Sequence, residues 1–391
     1  EGRDITSIKI SVDNGIENKP AIFINGCQHA REWITPMSTT YLIETLSNDY
    51  DLDLNVNMLL NAVDVYIVPI VNPDGYVYTW EENRWWRKNR QLNVGSSCIG
   101  TDLNRNWDID WNGEESTSED PCSYVYVGTS PFSAPETQIV SDYISSISNL
   151  VSHIDIHSYS ALIIGPWGFI DEYTEDNDEI FCLGTNMQAA VSNTHDYPYI
   201  FGVGTANDLL YLVSGAMIDW VYNSFSSLSY LYELRPVNLY AFDPYFDGLS
   251  AFDNEPEEII PTCEEFYQGF LEMLQHAYLD NCEVPTGCSD PLADNYYCNT
   301  PEGNMQCLYL PYFDVNSQSL LQENGAYNVF AYSLPLGFID DGSCAYLNDV
   351  ETSTRTNVLI KIIDIIGREN HSNGFGIAIY DDGSVEKIYI K

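Results

Sequence analysis

Apolar and polar positions alternate in short blocks along the first part of the chain. Ile8-Lys9-Ile10-Ser11-Val12 has the period of two that places one strand face inward. Ala21-Ile22-Phe23-Ile24-Asn25-Gly26 is a nearly unbroken apolar run ending in glycine. Val63 to Val71 is a second such run, closing at the turn signal Asn72-Pro73-Asp74-Gly75. Runs of this kind predict buried strands. Thr35 to Leu46 predicts a helix. Pro135-Glu136 opens another that continues through Ile147, with proline at a tolerated first-turn position. Val151 to Ile156 predicts a strand with His157 at its end, and Leu228 to Leu234 a strand that carries Glu233. Thr262 to Tyr278 predicts a long amphipathic helix. Apolar strands alternating with helices predict an α/β sheet covered on both faces.

The pattern changes near Asn281. Gly287 to Tyr346 is rich in Asn, Asp, Tyr and Pro and has no helical period, and Asp349 to Thr356 reads as a polar linker. Val358 to Ile366, Gly374 to Tyr380 and Val385 to Ile390 alternate again. Asp381-Asp382-Gly383 between the last two runs predicts a β-hairpin. Three domains are expected: a main domain over 1–281, a cysteine-bearing Asp/Asn-rich module over 282–348, and a β tail over 349–391.

Charge narrows the function. The 58 Asp and Glu against 15 Lys and Arg give a net charge of -43, a field that repels nucleic-acid and anionic membrane surfaces. No apolar run is long enough to span a bilayer. No signal peptide is recognisable, so a targeting segment is expected outside these residues. The 10 cysteines are even in number and lie largely in loops, which suggests disulfides and an oxidising compartment. Cys98 and Cys122 flank a polar loop, and Cys282, Cys288, Cys298, Cys307 and Cys344 gather in the second module.

The candidate chemistry starts at His29-Ala30-Arg31-Glu32, just after the strand ending at Gly26. A His and a Glu three apart reach one metal ion where the chain turns, and catalytic zinc commonly takes two His and one carboxylate. Of the 6 His, His157 stands at a strand end, where ligands gather in α/β sheets, with His153 the alternative on the same strand face. Glu233 is a carboxylate among apolar strand residues. It is either salt-bridged, with Arg235 on the same face the nearest partner, or raised in pKa toward general-base use. Basic residues are scarce, yet Arg84-Trp85-Trp86-Arg87-Lys88-Asn89-Arg90 and Leu103-Asn104-Arg105-Asn106-Trp107 concentrate them. These segments read as stems packed on Trp and counter-ions for acids, or as anion sites for an oxyanion and a substrate carboxylate.

Together these residues resemble the zinc carboxypeptidase family of carboxypeptidase A and B, from about Glu1 to about Tyr278. The motifs occur in the family's order: His29-Ala30-Arg31-Glu32-Trp33-Ile34-Thr35, Asn72-Pro73-Asp74-Gly75-Tyr76, Trp86-Arg87-Lys88 and Asp102-Leu103-Asn104-Arg105-Asn106-Trp107. His157-Ser158-Tyr159-Ser160, Ile218-Asp219-Trp220 and Glu233-Leu234-Arg235 follow. The resemblance implies a mixed, mostly parallel twisted sheet flanked by helices on both faces. It also places a helix and a strand before the segment at which this chain begins, so the sheet is expected to lack an edge element. It implies one zinc ion held by His29, Glu32 and His157, Glu233 as general base for the attacking water, and Arg87 as the group that polarises the carbonyl. Asn104, Arg105 and Tyr211 would grip the substrate's terminal carboxylate, and Arg31 and Tyr159 would line the preceding subsites. Cys98–Cys122 matches a family disulfide, and cis bonds are implied at Ser158-Tyr159, Pro166-Trp167 and Arg235-Pro236.

Ile218 stands where basic-specific members carry Asp, and Leu210, Val213, Ala216, Met217 and Leu231 map near the pocket wall. The resemblance therefore implies removal of single apolar residues from peptide and protein C-termini. Mixed apolar and basic specificity is the alternative, because Asp155 shares a face with His157 and would admit Lys or Arg if it reached the pocket floor. A catalytically inactive peptide-binding relative is a further alternative, although no ligand or base is missing. An endopeptidase or deacylase would lack the Asn104-Arg105 pair, and an adhesion or calcium-binding protein has support in the last third alone.

Gly287 to Tyr296, with Asp340-Asp341-Gly342-Ser343-Cys344-Ala345-Tyr346, resembles an interrupted cysteine-bearing repeat of secreted bacterial proteins. Its Asp-rich ends read as a disulfide-closed loop or as a calcium site. Val358 to Lys391 is similar to C-terminal sorting tails of proteins exported by gliding-type bacteria. These resemblances imply contact with secretion machinery and a secreted or cell-surface enzyme.

Overall fold

The computed structural model describes residues 2–114, 116–203, 211–236 and 249–279, and the short strands 286–287, 339–340, 359–363, 374–380 and 385–390. Its centre is a seven-stranded sheet of β1 (Ile8–Ile10), β2 (Ala21–Gly26), β3 (Asp64–Val68), β4 (Leu150–Ser158), β5 (Leu162–Gly165), β6 (Ile200–Val203) and β7 (Leu228–Leu234), in the order β1-β3-β2-β4-β7-β5-β6. Pairs β3–β2, β2–β4, β4–β7 and β5–β6 are parallel. Pairs β1–β3 and β7–β5 are antiparallel, so the sheet is mixed and mostly parallel as expected. The helices are α1 (Ile34–Leu52), α2 (Leu54–Ala62), α3 (Pro73–Glu81), α4 (Pro135–Ser145), α5 (Asn177–Thr194), α6 (Met217–Phe225) and α7 (Pro256–Leu279).

The central strands look uniformly apolar in sequence, but their two faces differ. Ile22, Ile24, Ile154, Ile156, Tyr230, Tyr232 and Leu234 point one way and pack with side chains of α1, α2, α5 and α7 in the larger core. The opposite face carries Phe23, which packs with Val140 and Ile144 of α4 and Met217 and Val221 of α6. Strand alternation also puts Asn25, His153, Asp155, His157, Ser229 and Glu233 on that side. Register aligns them across three strands: Asn25 with Asp155, His153 with Ser229, and His157 with Glu233. A polar stripe therefore runs under the smaller core toward the carboxyl ends of the parallel strands.

Several boundaries differ from the sequence reading. The run expected from Val63 to Val71 is a strand only over Asp64–Val68. Asn72-Pro73-Asp74-Gly75 is not a simple turn but the start of α3, where the Asn72 side chain accepts from Gly75 N at 2.9 Å and Pro73 fills the first turn. Any Cβ at Gly75 would lie 2.5 Å from Asn72 Oδ1, so the cap requires glycine. The last helix begins at Pro256 and holds Pro261 inside it. Cys98 and Cys122 are bonded, with Cα atoms 5.1 Å apart, and Cys182 is disulfide-bonded as well. The three peptide bonds expected to be cis are cis.

The chain divides into two compact units, Glu1–Cys344 and Ala345–Lys391. In the second, β10 (Leu359–Ile363), β11 (Gly374–Tyr380) and β12 (Val385–Ile390) form an antiparallel sheet in which β11 and β12 pair as the hairpin signal predicts. In the first, β8 (Thr286–Gly287) pairs with β9 (Ile339–Asp340). The expected boundaries at 281 and 348, the five cysteines of the second module and its proposed calcium ligands beyond Asp340 lie outside the described residues. Among the described residues, no helix is long and apolar enough to cross a membrane.

Candidate active site

The chain leaves β2 through a tight turn. Cys27 takes a left-handed φ of 58°, Glu32 N donates to His29 O at 3.2 Å, and Ala30 N donates to Arg87 O at 3.0 Å. The turn brings His29 Nδ1 to 2.8 Å from Glu32 Oε1. From the end of β4, His157 Nδ1 lies 3.0 Å from Glu32 Oε2 and 3.0 Å from His29 Nδ1. All three residues are buried, and their donor atoms lie within 4.8 Å of one another.

The remote nitrogens say what this cluster is for. His29 Nε2 faces Asp102 Oδ1 at 3.0 Å, and His157 Nε2 faces Asp155 Oδ2 at 2.9 Å. A carboxylate accepts, so each neutral imidazole keeps its proton on Nε2 and turns the Nδ1 lone pair inward. Two lone pairs and a carboxylate then converge, an arrangement that repels itself unless a cation sits among them. The donor set of two nitrogens and one carboxylate is that of a catalytic divalent metal site. Burial alone would raise the pKa of Glu32, but His29 and His157 outweigh it and hold the carboxylate well below its usual range. Burial would lower His157, but the Asp155 and Glu32 carboxylates outweigh it and raise its pKa, so the inward Nδ1 position favours either a proton or a cation beside Glu32.

Glu233 is beside His157 on the neighbouring strand. It makes no hydrogen bond or ion pair among the described residues. Burial, together with the Glu32 and Asp155 charges, pushes its pKa up to about 8 against the pull of His157 and Arg87. The reading of Glu233 as the salt-bridge partner of Arg235 is overturned. Arg235 follows the end of β7 and turns to Glu258 and Glu265, with its guanidinium 3.8 Å from the Tyr197 ring.

Arg87 approaches from the loop after α3. Its Nε and Nη2 donate to Asp102 Oδ2 at 3.1 and 2.9 Å, and Nη1 is 3.9 Å from Glu32 Oε1. Asp102 Oδ1 also accepts from Asn104 N at 3.1 Å, capping the short 3-10 turn Leu103–Arg105. Asn104 Oδ1 accepts from Met217 N at 2.9 Å, which turns its amide nitrogen toward His157. Arg105 is buried. Its Nε donates to Ser116 O and its Nη1 to Asn104 O, leaving Nη2 without a partner among the described residues. Tyr211 is 48% exposed, the first described residue after 203.

Two other sequence readings are corrected. His153 is not a metal ligand: its ring is bound by Ser229 Oγ at 2.7 Å and Asn25 Oδ1 at 2.9 Å, and burial lowers its pKa to about 4. Asp155 is fully buried. Its oxygens are engaged by Asn25, Gln28 and His157, so they do not reach out as a pocket floor. Ile218 is buried in the first turn of α6 beside Ala216 and Met217, and Leu231 is partly buried on β7. Leu210 lies outside the described residues. Arg31 stacks 4.3 Å over the Phe252 ring, and Tyr159 meets the same ring edge-on at 5.0 Å.

Three residues take roles the sequence reading did not assign: Asp102 and Asp155 as histidine partners, and Phe252. Asp102 had a signal, an acid beside Asn104 and Arg105 in a chain short of bases. Phe252 had none, because only the fold brings it against Arg31. Asp219, next to Ile218, is buried and accepts from Gly168 N at 2.9 and 3.1 Å. Burial raises its pKa to about 7.

Comparison with known proteins agrees with this geometry. Residues 1–269 match the model of the peptidase M14 family, described as zinc carboxypeptidase. Over 276 residues the chain is 36% identical to carboxypeptidase A4 of Mus musculus, a match that covers 71% of this chain and 62% of that protein. Over 279 residues it is 36% identical to a zinc carboxypeptidase of Simulium vittatum, covering 71% of this chain and 86% of that one. The crystal structure of thrombin activatable fibrinolysis inhibitor superposes with a TM-score of 0.65 at 32% identity, over 71% of this chain and 66% of that chain. The chain thus spans 62% of the length of the mouse relative.

Proposed function

The chain belongs to the zinc carboxypeptidase family, and we propose that residues 1–281 form a metallocarboxypeptidase domain that releases single apolar residues from the C-termini of peptides and proteins. The observation that carries this reading is the convergence of His29, Glu32 and His157 donor atoms beside Glu233 on the adjoining strand, which has no partner among the described residues. His29, Glu32 and His157 would hold one zinc ion, which when bound polarises the scissile carbonyl and acidifies a water molecule. Glu233, raised in pKa by burial, takes a proton from the attacking water and delivers it to the leaving nitrogen. Arg87, held by Asp102, donates to the oxygen that gains negative charge.

Arg105 makes the enzyme an exopeptidase. Its Nη2, without a partner among the described residues, supports a charge-assisted bond to a terminal carboxylate, with Asn104 and Tyr211 alongside. An internal peptide bond would bring no carboxylate to that Nη2, at a cost of roughly 1–3 kcal/mol. Arg31 and Tyr159, sharing the Phe252 wall, would line the subsites before the scissile bond. Apolar preference is supported by Ile218 and Met217, which the resemblance maps to the pocket wall, and by the engagement of Asp155 elsewhere. The resemblance of the 349–391 segment to C-terminal sorting tails supports a proposed role in export, which would put the enzyme outside the cell or on its surface.

The test is release of the last residue from matched peptides ending in Leu, Phe or Lys. Fast release of Leu and Phe with little Lys supports the reading. Equal release of Lys assigns mixed specificity, and no release from zinc-loaded protein assigns a binding role.

A further inference from the structure

The carboxylates behind the two histidines differ in what else they hold. Asp102 shares its charge with the Arg87 fork. Asp155 meets only neutral donors besides His157: Asn25 Nδ2 on Oδ1 at 2.7 Å and Gln28 Nε2 on Oδ2 at 2.7 Å. Among the described residues, no Lys or Arg contacts it.

The side chains that hold Asp155 have one consistent set of donors and acceptors. Gln28 Oε1 accepts from Trp107 Nε1 at 3.1 Å, so its amide nitrogen faces Asp155. Asn25 turns its nitrogen to Asp155, so its oxygen accepts from His153 Nε2. His153 Nδ1 is then the acceptor for the Ser229 hydroxyl. That requires a neutral His153, in keeping with its lowered pKa. The register pair Asn25 and Asp155 fixes the carboxylate one rung behind His157. Asn25 and Gln28 thereby hold Asp155 in one orientation, in which it accepts the proton on His157 Nε2. Asn104 Nδ2, at 3.2 Å from the same nitrogen, is a donor and cannot take that place.

We propose that Asp155 is a positioning residue that fixes the tautomer and ring orientation of His157 and strengthens its Nδ1 as a zinc donor, anchored by Gln28, Asn25, His153 and Ser229. The inference rests on the reading of His29, Glu32 and His157 as metal ligands. A carboxylate of this kind behind a ligating histidine typically contributes 10–100-fold in metal affinity.

The experiment titrates zinc into the metal-free full chain against a chromophoric chelator, for the wild type and Asp155→Asn, and records the visible absorption of the cobalt-substituted forms. Wild type should bind one zinc, Asp155→Asn should bind it about 10–100-fold more weakly, and its cobalt bands should shift. Equal affinity and unchanged cobalt bands in a folded Asp155→Asn overturn the proposal. Should that variant not fold, Asn25→Ser, which frees Oδ1 and loosens the carboxylate, should weaken zinc several-fold, and unchanged affinity there overturns it equally. Absence of zinc binding in the wild type instead refutes the ligand set itself.

Discussion

Replacing Asp102 by Asn tests the hub that ties metal holding to oxyanion holding. The carboxylate accepts from His29 Nε2 at 3.0 Å, from Arg87 Nε and Nη2 at 3.1 and 2.9 Å, and from Asn104 N at 3.1 Å. Asn keeps one acceptor oxygen and adds an NH2 that must face a donor on one side. If the oxygen stays with Arg87, the NH2 confronts the His29 proton; if it stays with His29, Arg87 loses its fork. The first outcome disorients a metal ligand and should cost about 10–100-fold in zinc affinity. The second removes two charge-assisted bonds at roughly 1.5–3 kcal/mol each, on the order of 10²- to 10⁴-fold in kcat/KM. Zinc titration and steady-state hydrolysis of a Leu-terminated peptide at saturating zinc separate the two, and wild-type values in both would refute the hub. A pH effect follows as well. Burial opposes ionisation of Asp102, but Arg87 and His29 outweigh it and hold its pKa well below 3.8. The group therefore contributes stability that is complete above about pH 4 and is lost as pH falls through its folded pKa. Acid unfolding of Asp102→Asn should be correspondingly shallower.

Glu233→Gln should keep zinc affinity near wild type while kcat falls about 10²- to 10⁴-fold, and a retained kcat would remove Glu233 from the base role. Asp219, raised by burial from 3.8 to about 7, holds its proton between those values only in the folded state. Stability should therefore decline as pH rises from about 4 to about 7, by up to about 4 kcal/mol, and Asp219→Asn should flatten that slope in urea melts. Opening Cys98–Cys122 by double Ser replacement should cost about 2–4 kcal/mol. Because the closed loop includes Arg105 and its acceptor Ser116, KM should rise more than kcat falls. A KM unchanged alongside a lowered Tm would mean the loop does not help to place Arg105.

What was legible in the sequence was local. His29 and Glu32 sit three apart after a strand, and His157 and Glu233 fall at strand ends, so period and spacing bring them to one sheet edge. The core strands were readable because their apolar runs are short and bounded. Helices α2 and α5 were not, because polar residues break their apolar stripes; α5 buries Thr185, Gln188 and Ser192 among its apolar side chains. The roles of the acids were least legible. Strand period placed Asp155 on the His157 face, but only the fold shows Asn25 and Gln28 arriving from the β2 end to hold it inward. Arg235 seemed the natural partner of Glu233 by the same period, yet the strand ends at Leu234 and Glu265 of α7 draws it away.

The most direct measurement compares a peptide ending in free Leu with the same peptide ending in Leu amide, each with and without a zinc chelator. The account predicts release of Leu from the free acid alone, abolished by the chelator and restored by added zinc. Cleavage of the amide at a similar rate, or release that persists without metal, would contradict it.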